Sequence, residues 1–75
     1  KVFTSKATKE LIIKGQLFGK TKAQLNDING REVLSVMLDS STNYNILDTR
    51  SFQSGVYILQ VSDDTHNYTQ KVLIN

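Results

Sequence analysis

The chain has 75 residues and a formal net charge of +2, with nine lysines and arginines against seven aspartates and glutamates. Hydrophobic residues make up 39% of it, which is enough for one small core in one domain. There is no cysteine, which excludes disulfide bonds, thiolate zinc sites and cysteine nucleophiles.

The charge is too small to require a nucleic-acid partner, and most of the six aromatic residues fall on apolar faces instead of forming a stacking platform. No apolar run approaches the ~18 residues of a membrane span, so we expect neither a span nor a signal peptide. The first residue is Lys1 and not methionine. We therefore expect residues 1–75 to be a single domain, a fragment of a larger protein.

The charges are unevenly distributed along the chain. Residues 1–22 contain six lysines and one glutamate, whereas residues 23–75 contain three basic and six acidic residues. One interpretation is a basic end that faces an anionic surface. The other, which we favour, is a set of strand-edge lysines that oppose aggregation between sheets.

The first third of the chain alternates between apolar and polar residues, as strands do. Residues 10–14 and 20–25 have this pattern, and residues 2–3 are a possible edge strand. The side chains predicted to face the core here are Leu11, Ile13, Ala23 and Leu25.

The Asn29-Gly30 pair is the strongest local turn signal. This dipeptide suits a type I′ turn, in which both central residues have a positive φ. Residues 32–38 are then the returning arm of a hairpin. Their apolar content on both faces predicts a strand that is at least partly covered on both sides.

The second half continues the pattern with strands at residues 44–47, 56–61 and 68–74, and an irregular crossing at residues 48–54. The last hairpin is predicted to have two core-facing sets, Tyr57, Leu59 and Val61 on one strand and Tyr68, Val72 and Ile74 on the other. Six or seven short strands at spacings of about ten residues predict an all-β fold, an immunoglobulin-like antiparallel β-sandwich.

No catalytic constellation is visible. His66, the one histidine, lies in a polar turn and is predicted to be solvated. Asp63, Asp64 and His66 could share a cation, but calcium loops place more oxygen ligands at a more regular spacing. Residues 67–69 have the form of an N-glycosylation acceptor, a motif that recurs often by chance. We therefore predict no enzyme, no metal and no cofactor.

Three stretches in a fixed order are distinctive: LNDINGREV at residues 25–33, LD at residues 47–48 leading to Phe52 and GVYIL, and YTQKV at residues 68–72. In this order and spacing, the chain resembles the C-terminal sorting domain of proteins exported by the type IX (Por) secretion system of certain Gram-negative bacteria. The resemblance covers nearly the whole chain. It is weakest at residues 4–6, where the family usually has Pro-Asn-Pro.

The resemblance implies a secretion signal. Such a domain directs its cargo protein through the periplasm to the type IX translocon of the outer membrane, and the cargo reaches the cell surface. A sortase-like peptidase then usually removes the domain, although some members are retained for docking to the surface-attachment machinery. Exposed strand edges also make a strand-exchanged homodimer plausible.

Two other functions stay open on the sequence. One is a non-catalytic binding module of a surface protein, either carbohydrate-binding or adhesin-like, which predicts exposed aromatic residues arranged as a platform. The other is a structural linker between larger domains.

The residues that carry the resemblance divide by predicted role. The structural signature consists of Asp27, Gly30, Asp48, Gly55 and Tyr57. Arg31 and Lys71 are the candidates for recognition by a partner. The charge of Arg31 is not needed to fold its turn, and Lys71 lies in the closing strand, the portion that the resemblance implies to be most important for export. The alternatives are pairing of Arg31 with Asp27 and a solvent-facing strand lysine at position 71.

Overall fold

The computed structural model describes residues 2–5, 9–17 and 19–74. Within these ranges the chain forms seven strands and no helix. The strands are β1 Val2–Ser5, β2 Glu10–Lys14, β3 Lys22–Asn26, β4 Glu32–Met37, β5 Tyr44–Asp48, β6 Gly55–Ser62 and β7 Asn67–Ile74. Each strand predicted from the sequence is present, with its ends shifted by at most two residues.

The strands form two antiparallel sheets, one in the order β1-β2-β5 and the other in the order β4-β3-β6-β7. The chain crosses between the sheets after β2, β4 and β5, so the two sheets face each other as a small β-sandwich. This confirms the predicted fold class. The fourth strand pairs with β3, whereas in the constant-type immunoglobulin domain the fourth strand pairs with the fifth.

The core lies between the sheets and consists of the inward-facing residues, which alternate with outward-facing ones along the strands. Leu11, Leu25 and Leu59 are completely buried, and Leu25 faces Leu59 across the β3–β6 pair. Each such burial contributes roughly 1.5–3 kcal/mol. The side chains predicted to face the core are buried except at the margin, where Val61 is half-buried and Tyr68 is 48% exposed.

The turn between β3 and β4 is not the predicted type I′ turn. The N–H of Gly30 donates to the Asp27 carbonyl at 3.0 Å, and the N–H of Asp27 donates to the Arg31 carbonyl at 2.9 Å. Gly30 has a φ of +83°, but Asn29 does not have a positive φ. The loop is therefore a type I turn followed by a left-handed glycine, the three-residue hairpin connection. The Asp27 carboxylate favours it by accepting the N–H of Asn29 at 2.9 Å.

A β-bulge follows this turn on β4. Leu34 pairs with Leu25 and Glu32 pairs with Asn26, which leaves Val33 without a partner residue. Both Val33 and Leu34 pack against the core, because a bulge bends the strand and redirects its side chains. The bulge thus accounts for part of the apolar pattern that predicted coverage on both faces.

The crossing from β5 to β6 is closed by Tyr57. Its ring is buried, and its hydroxyl donates to the carbonyl of Gln53, four residues upstream, at 2.8 Å. This is the arrangement of a tyrosine corner, which ties the connection between sheets to the start of the following strand. Gly55, at the start of β6, has a φ of +155°, a backbone conformation that residues with a Cβ rarely adopt.

We predict that Tyr57→Phe lowers the free energy of unfolding by about 1 kcal/mol, because it removes one hydrogen bond and leaves the ring in place. For a domain of this size the melting temperature should fall by about 4–8 °C. Tyr44→Phe is the matched control, since the Tyr44 side chain is 43% exposed. Equal melting temperatures for Tyr57→Phe and the wild type would contradict a structural role for the hydroxyl.

Candidate recognition surface

Three of the signature positions and one recognition candidate meet at one end of the sandwich. The β3–β4 turn supplies Asp27 and Arg31, and the start of β6 supplies Gly55 and Tyr57. All four residues line one open cleft of about 390 Å³ between the turn and the crossing at residues 51–54. The sequence places these two segments about 25 residues apart, and the β3–β6 pairing brings them together.

The cleft has a mixed lining, in which polar residues of the turn and the crossing alternate with the apolar side chains of Ile28, Val33, Phe52 and Val56. Its volume lies within the range of about 300–1,000 Å³ that is typical of ligand pockets. Ile28 lies at the tip of the turn and is 74% exposed.

Asp27 is fully engaged in shaping the turn. Its Oδ1 accepts the N–H of Asn29 and the N–H of Arg31, each at 2.9 Å, and its Oδ2 accepts the Nε–H of Arg31 at 3.2 Å. The N–H of Arg31 is the largest cause that holds the pKa of the Asp27 carboxyl below its usual value, and the N–H of Asn29 and the Arg31 guanidinium act in the same direction.

Arg31 pairs with Asp27 through Nε alone, and its side chain is 79% exposed. Among the described residues, the two terminal guanidinium nitrogens have no hydrogen-bond partner. These are the atoms that bind a carboxylate or phosphate in the bidentate geometry of arginine. The predicted pairing of Arg31 with Asp27 is therefore present, and it leaves the terminal guanidinium nitrogens available; recognition of a partner through Arg31 stays a prediction.

Lys71 lies on β7 and pairs in register with Ile58. Its side chain is exposed on the outer face of the four-stranded sheet. The neighbouring register pair on that face is Val56 and Leu73, which are 37% and 55% exposed. Lys71 is therefore next to an exposed apolar patch, of which Val56 also lines the cleft.

Arg31 and Lys71 lie toward the same end of the four-stranded sheet. Lys71 is in the register row that crosses β3 at Asn26, and Asp27 and the turn follow Asn26 directly. Three strand spacings separate β4 from β7, or roughly 14 Å. We name the exposed residues Ile28, Arg31, Val56, Lys71 and Leu73 the Arg31–Lys71 surface.

Asp48 lies on the other sheet, outside this surface. Its carboxylate binds the Arg50 guanidinium, with Nη2 to Oδ2 at 2.9 Å, and accepts the Arg50 N–H at 3.0 Å. The side-chain hydrogen bond from Arg50 is the largest cause that lowers the pKa of Asp48. The next residue, Thr49, is buried, and its hydroxyl donates to the Lys9 carbonyl at 2.7 Å. No local sequence pattern predicts this contact, because it joins residues 40 positions apart.

The turn between β6 and β7 uses Asp63 as a backbone acceptor. Its Oδ1 accepts the N–H of Thr65 at 2.8 Å and the N–H of His66 at 2.6 Å. The His66 side chain is 78% exposed, with Nδ1 at 3.3 Å from Asp63 Oδ1. No cluster of three or more metal-ligating side chains occurs among residues 2–5, 9–17 and 19–74.

A second exposed apolar area lies on the outer face of the three-stranded sheet. It includes Phe3, Tyr44 and Ile46, which are 46%, 43% and 48% exposed. The Lys14 ammonium lies 5.6 Å from the centroids of both the Phe3 and Tyr44 rings. The two rings therefore flank the Lys14 ammonium, a cation–π arrangement.

The fold and this surface together define a small antiparallel β-sandwich module. The described part of the chain contains no helix long and apolar enough to cross a membrane. Over residues 2–75 the chain matches the family of secretion system C-terminal sorting domains, and it belongs to that family. It is therefore a type IX secretion C-terminal sorting signal, as the sequence resemblance implied. A search of the curated proteins gave no match to the chain.

Membership of this family implies three general properties. The domain takes part in the type IX secretion system, and a sorting domain of this type implies export to the outer membrane or cell surface of a bacterium. Sorting domains are also generally non-catalytic.

We predict that acid weakens the fold through its turn carboxylates. The pKa of Asp27 is lower in the folded chain than its ordinary value, so its contribution to stability is complete above the unfolded pKa of about 3.9 and is lost as the pH falls through the folded value. Asp39, Asp48 and Asp63 shift in the same direction. The melting temperature should therefore be nearly constant from pH 7 to pH 5 and fall below about pH 4.

The variant Asp27→Asn isolates the share of the acid destabilisation that is due to the Asp27 carboxyl, because the amide oxygen still accepts hydrogen bonds but does not titrate. Its melting temperature should fall less than that of the wild type between pH 5 and pH 3. The control is Asp64→Asn, at an exposed position of the β6–β7 turn. Its melting temperature should fall between pH 5 and pH 3 as that of the wild type does. If the melting temperature of Asp27→Asn fell as steeply with decreasing pH as that of the wild type, the Asp27 carboxyl would not contribute to the acid destabilisation.

Proposed function

We propose that the type IX translocon recognises the folded domain through the Arg31–Lys71 surface. The observation that carries the proposal is that the β3–β6–β7 pairing places two separately predicted recognition residues on either side of exposed apolar side chains. The cargo then passes through the periplasm to the outer-membrane cell surface. There the sortase-like attachment machinery removes the domain or retains it as a docking module.

The chemistry of the surface suits a protein partner. Ile28, Val56 and Leu73 supply apolar area whose burial stabilises a complex. The Arg31 guanidinium offers two donors at one side, and Lys71 offers a positive charge at the other. Such a surface is complementary to an apolar segment with acidic residues at its margins.

This mode of action requires a stable, specific surface and no reaction. We propose that the domain has no catalytic role, and the polar groups near the cleft support this. The Asp27 carboxylate already accepts three hydrogen bonds within the turn, which leaves it unsuited to act as a general base. The strand-exchanged homodimer stays a prediction from the exposed edges.

The address function is tested by fusing residues 1–75 to a periplasmic fluorescent reporter in a bacterium with an intact type IX system. A translocon-deficient strain carries the same fusion as the control. We expect the reporter outside the cell only in the intact strain, and its size on a gel shows whether the domain was removed. Retention of the reporter in both strains would contradict an autonomous signal.

The recognition residues are tested in the same fusion with Arg31→Ala and Lys71→Ala. Each should reduce export roughly tenfold, the effect of losing about 1.4 kcal/mol of binding free energy, and leave the melting temperature nearly unchanged. Arg50→Ala and Lys22→Ala are controls, since both side chains are exposed and neither belongs to the Arg31–Lys71 surface. Normal export by both test variants would dismiss this surface as the recognition site.

A further inference from the structure

The last strand, β7, is a long and regular sheet edge. It pairs with β6 through eight consecutive register pairs from Ser62–Asn67 to Gly55–Ile74, with no bulge. β1 approaches β7 but does not pair with it. A straight edge of this length presents its free backbone groups in a row, which is the geometry that accepts an added strand.

The hydrogen-bond alternation shows which residues of β7 present these groups. The N–H of Asp63 donates to the His66 carbonyl at 2.9 Å, so this pair is a hydrogen-bonded pair of the ladder. Antiparallel pairs alternate from there, and the even-numbered residues of β7 bond to β6. The N–H and C=O groups that point away from β6 belong to Asn67, Thr69, Lys71 and Leu73.

The other three edges are shorter or blocked. β1 has four residues, and β4 is interrupted by the bulge at Val33. β5 has five residues, and the N–H of its first residue, Tyr44, donates to the Thr42 hydroxyl at 3.2 Å. Among the strands of the described chain, β7 is therefore the edge best suited to strand addition.

The side chains of the same four β7 residues point to the outer face of the four-stranded sheet. Lys71 is the one charged residue in β6 and β7 together, and it is next to the apolar Leu73. If a second copy of the chain paired antiparallel with β7 through all four residues, the two copies of Lys71 would be diagonal neighbours at about 7–8 Å. That repulsion disfavours self-pairing, whereas an acidic side chain opposite Lys71 is favourable.

We infer that an extended segment of the translocon partner adds to β7 as a further strand, with an acidic residue opposite Lys71 and an apolar residue beside Leu73. This inference rests on the proposed function, because the added strand lies along one border of the Arg31–Lys71 surface. Backbone hydrogen bonds supply the affinity, and the acidic and apolar side chains supply the specificity.

A proline substitution tests the backbone contribution. Thr69→Pro removes an N–H that points away from β6, so the ladder within the domain is kept, as proline requires at an edge. We expect a melting temperature close to that of the wild type and export of the reporter fusion reduced at least tenfold. Thr69→Val, which keeps the N–H, should export normally. Normal export by a folded Thr69→Pro variant would overturn the inference.

Hydrogen exchange on the wild-type domain gives a second test that does not depend on the folding of a variant. The amides of Thr69, Lys71 and Leu73 should exchange fast in the free domain and at least tenfold more slowly when the domain is bound to detergent-solubilised translocon. Val72, whose N–H bonds to β6, should be protected in both states. Unchanged exchange of the three outward amides in the complex would refute strand addition.

The two proposals fail in distinguishable ways. Normal export by Arg31→Ala and Lys71→Ala, together with loss of export in Thr69→Pro, would exclude recognition through either side chain, including the acidic residue opposite Lys71, and would support strand addition through the backbone alone. Loss of export in the two alanine variants, with normal export by Thr69→Pro, would support recognition through the Arg31–Lys71 surface and exclude the added strand. Protection of the outward amides at high concentration of the free domain alone would instead show self-association.

Discussion

The pairing of β3 with β6 is the constraint on which the rest of the molecule depends. These are the two central strands of the four-stranded sheet, and their register places Leu25 against Leu59, both completely buried. Because side chains alternate between faces, a slip of β3 by one residue would move Leu25 to the outer face and leave Leu59 without its apolar partner. The same register sets Asn26 beside Ile58, and the β6–β7 register in turn sets Ile58 beside Lys71. The packing of the core thus also fixes where the recognition candidates lie, and a core mutation that shifted this register would remove the surface along with the stability.

Polar side chains then hold the ends of the strands that this register aligns. Asp27 satisfies the N–H groups of its own turn, and the Tyr57 hydroxyl closes the crossing that enters β6. Both residues are part of the sequence signature, and both are occupied by contacts within the domain. The donors left over belong to Arg31, whose terminal nitrogens have no partner in the described chain. The signature therefore combines residues that build one end of the sandwich with a residue that this end presents to solvent.

The sequence predicted what depends on local alternation, and it failed where distant segments decide. Leu11 and Ile13 could be placed in the core because period-2 patterning needs no knowledge of the partner strand. The Asn29-Gly30 pair fits a type I′ turn and equally a type I turn with a left-handed glycine, and the Asp27 carboxylate selected the second. The bond from Thr49 to the Lys9 carbonyl depends on the β2–β5 pairing, which no local pattern specifies. The proximity of Arg31 and Lys71 likewise follows from strand order.

An open β7 edge is a liability, because unpaired strand edges promote aggregation. Lys71 lies within that edge and bears the only charge of the last two strands. In the free domain its solvated ammonium opposes pairing with another copy, and it would have to be desolvated beside a like charge in such a pair. Opposite a partner carboxylate, the same ammonium stabilises the added strand. On the inferred strand addition, one lysine both opposes pairing between copies and selects an acidic partner, which an apolar residue favoured by sheet propensity would not do.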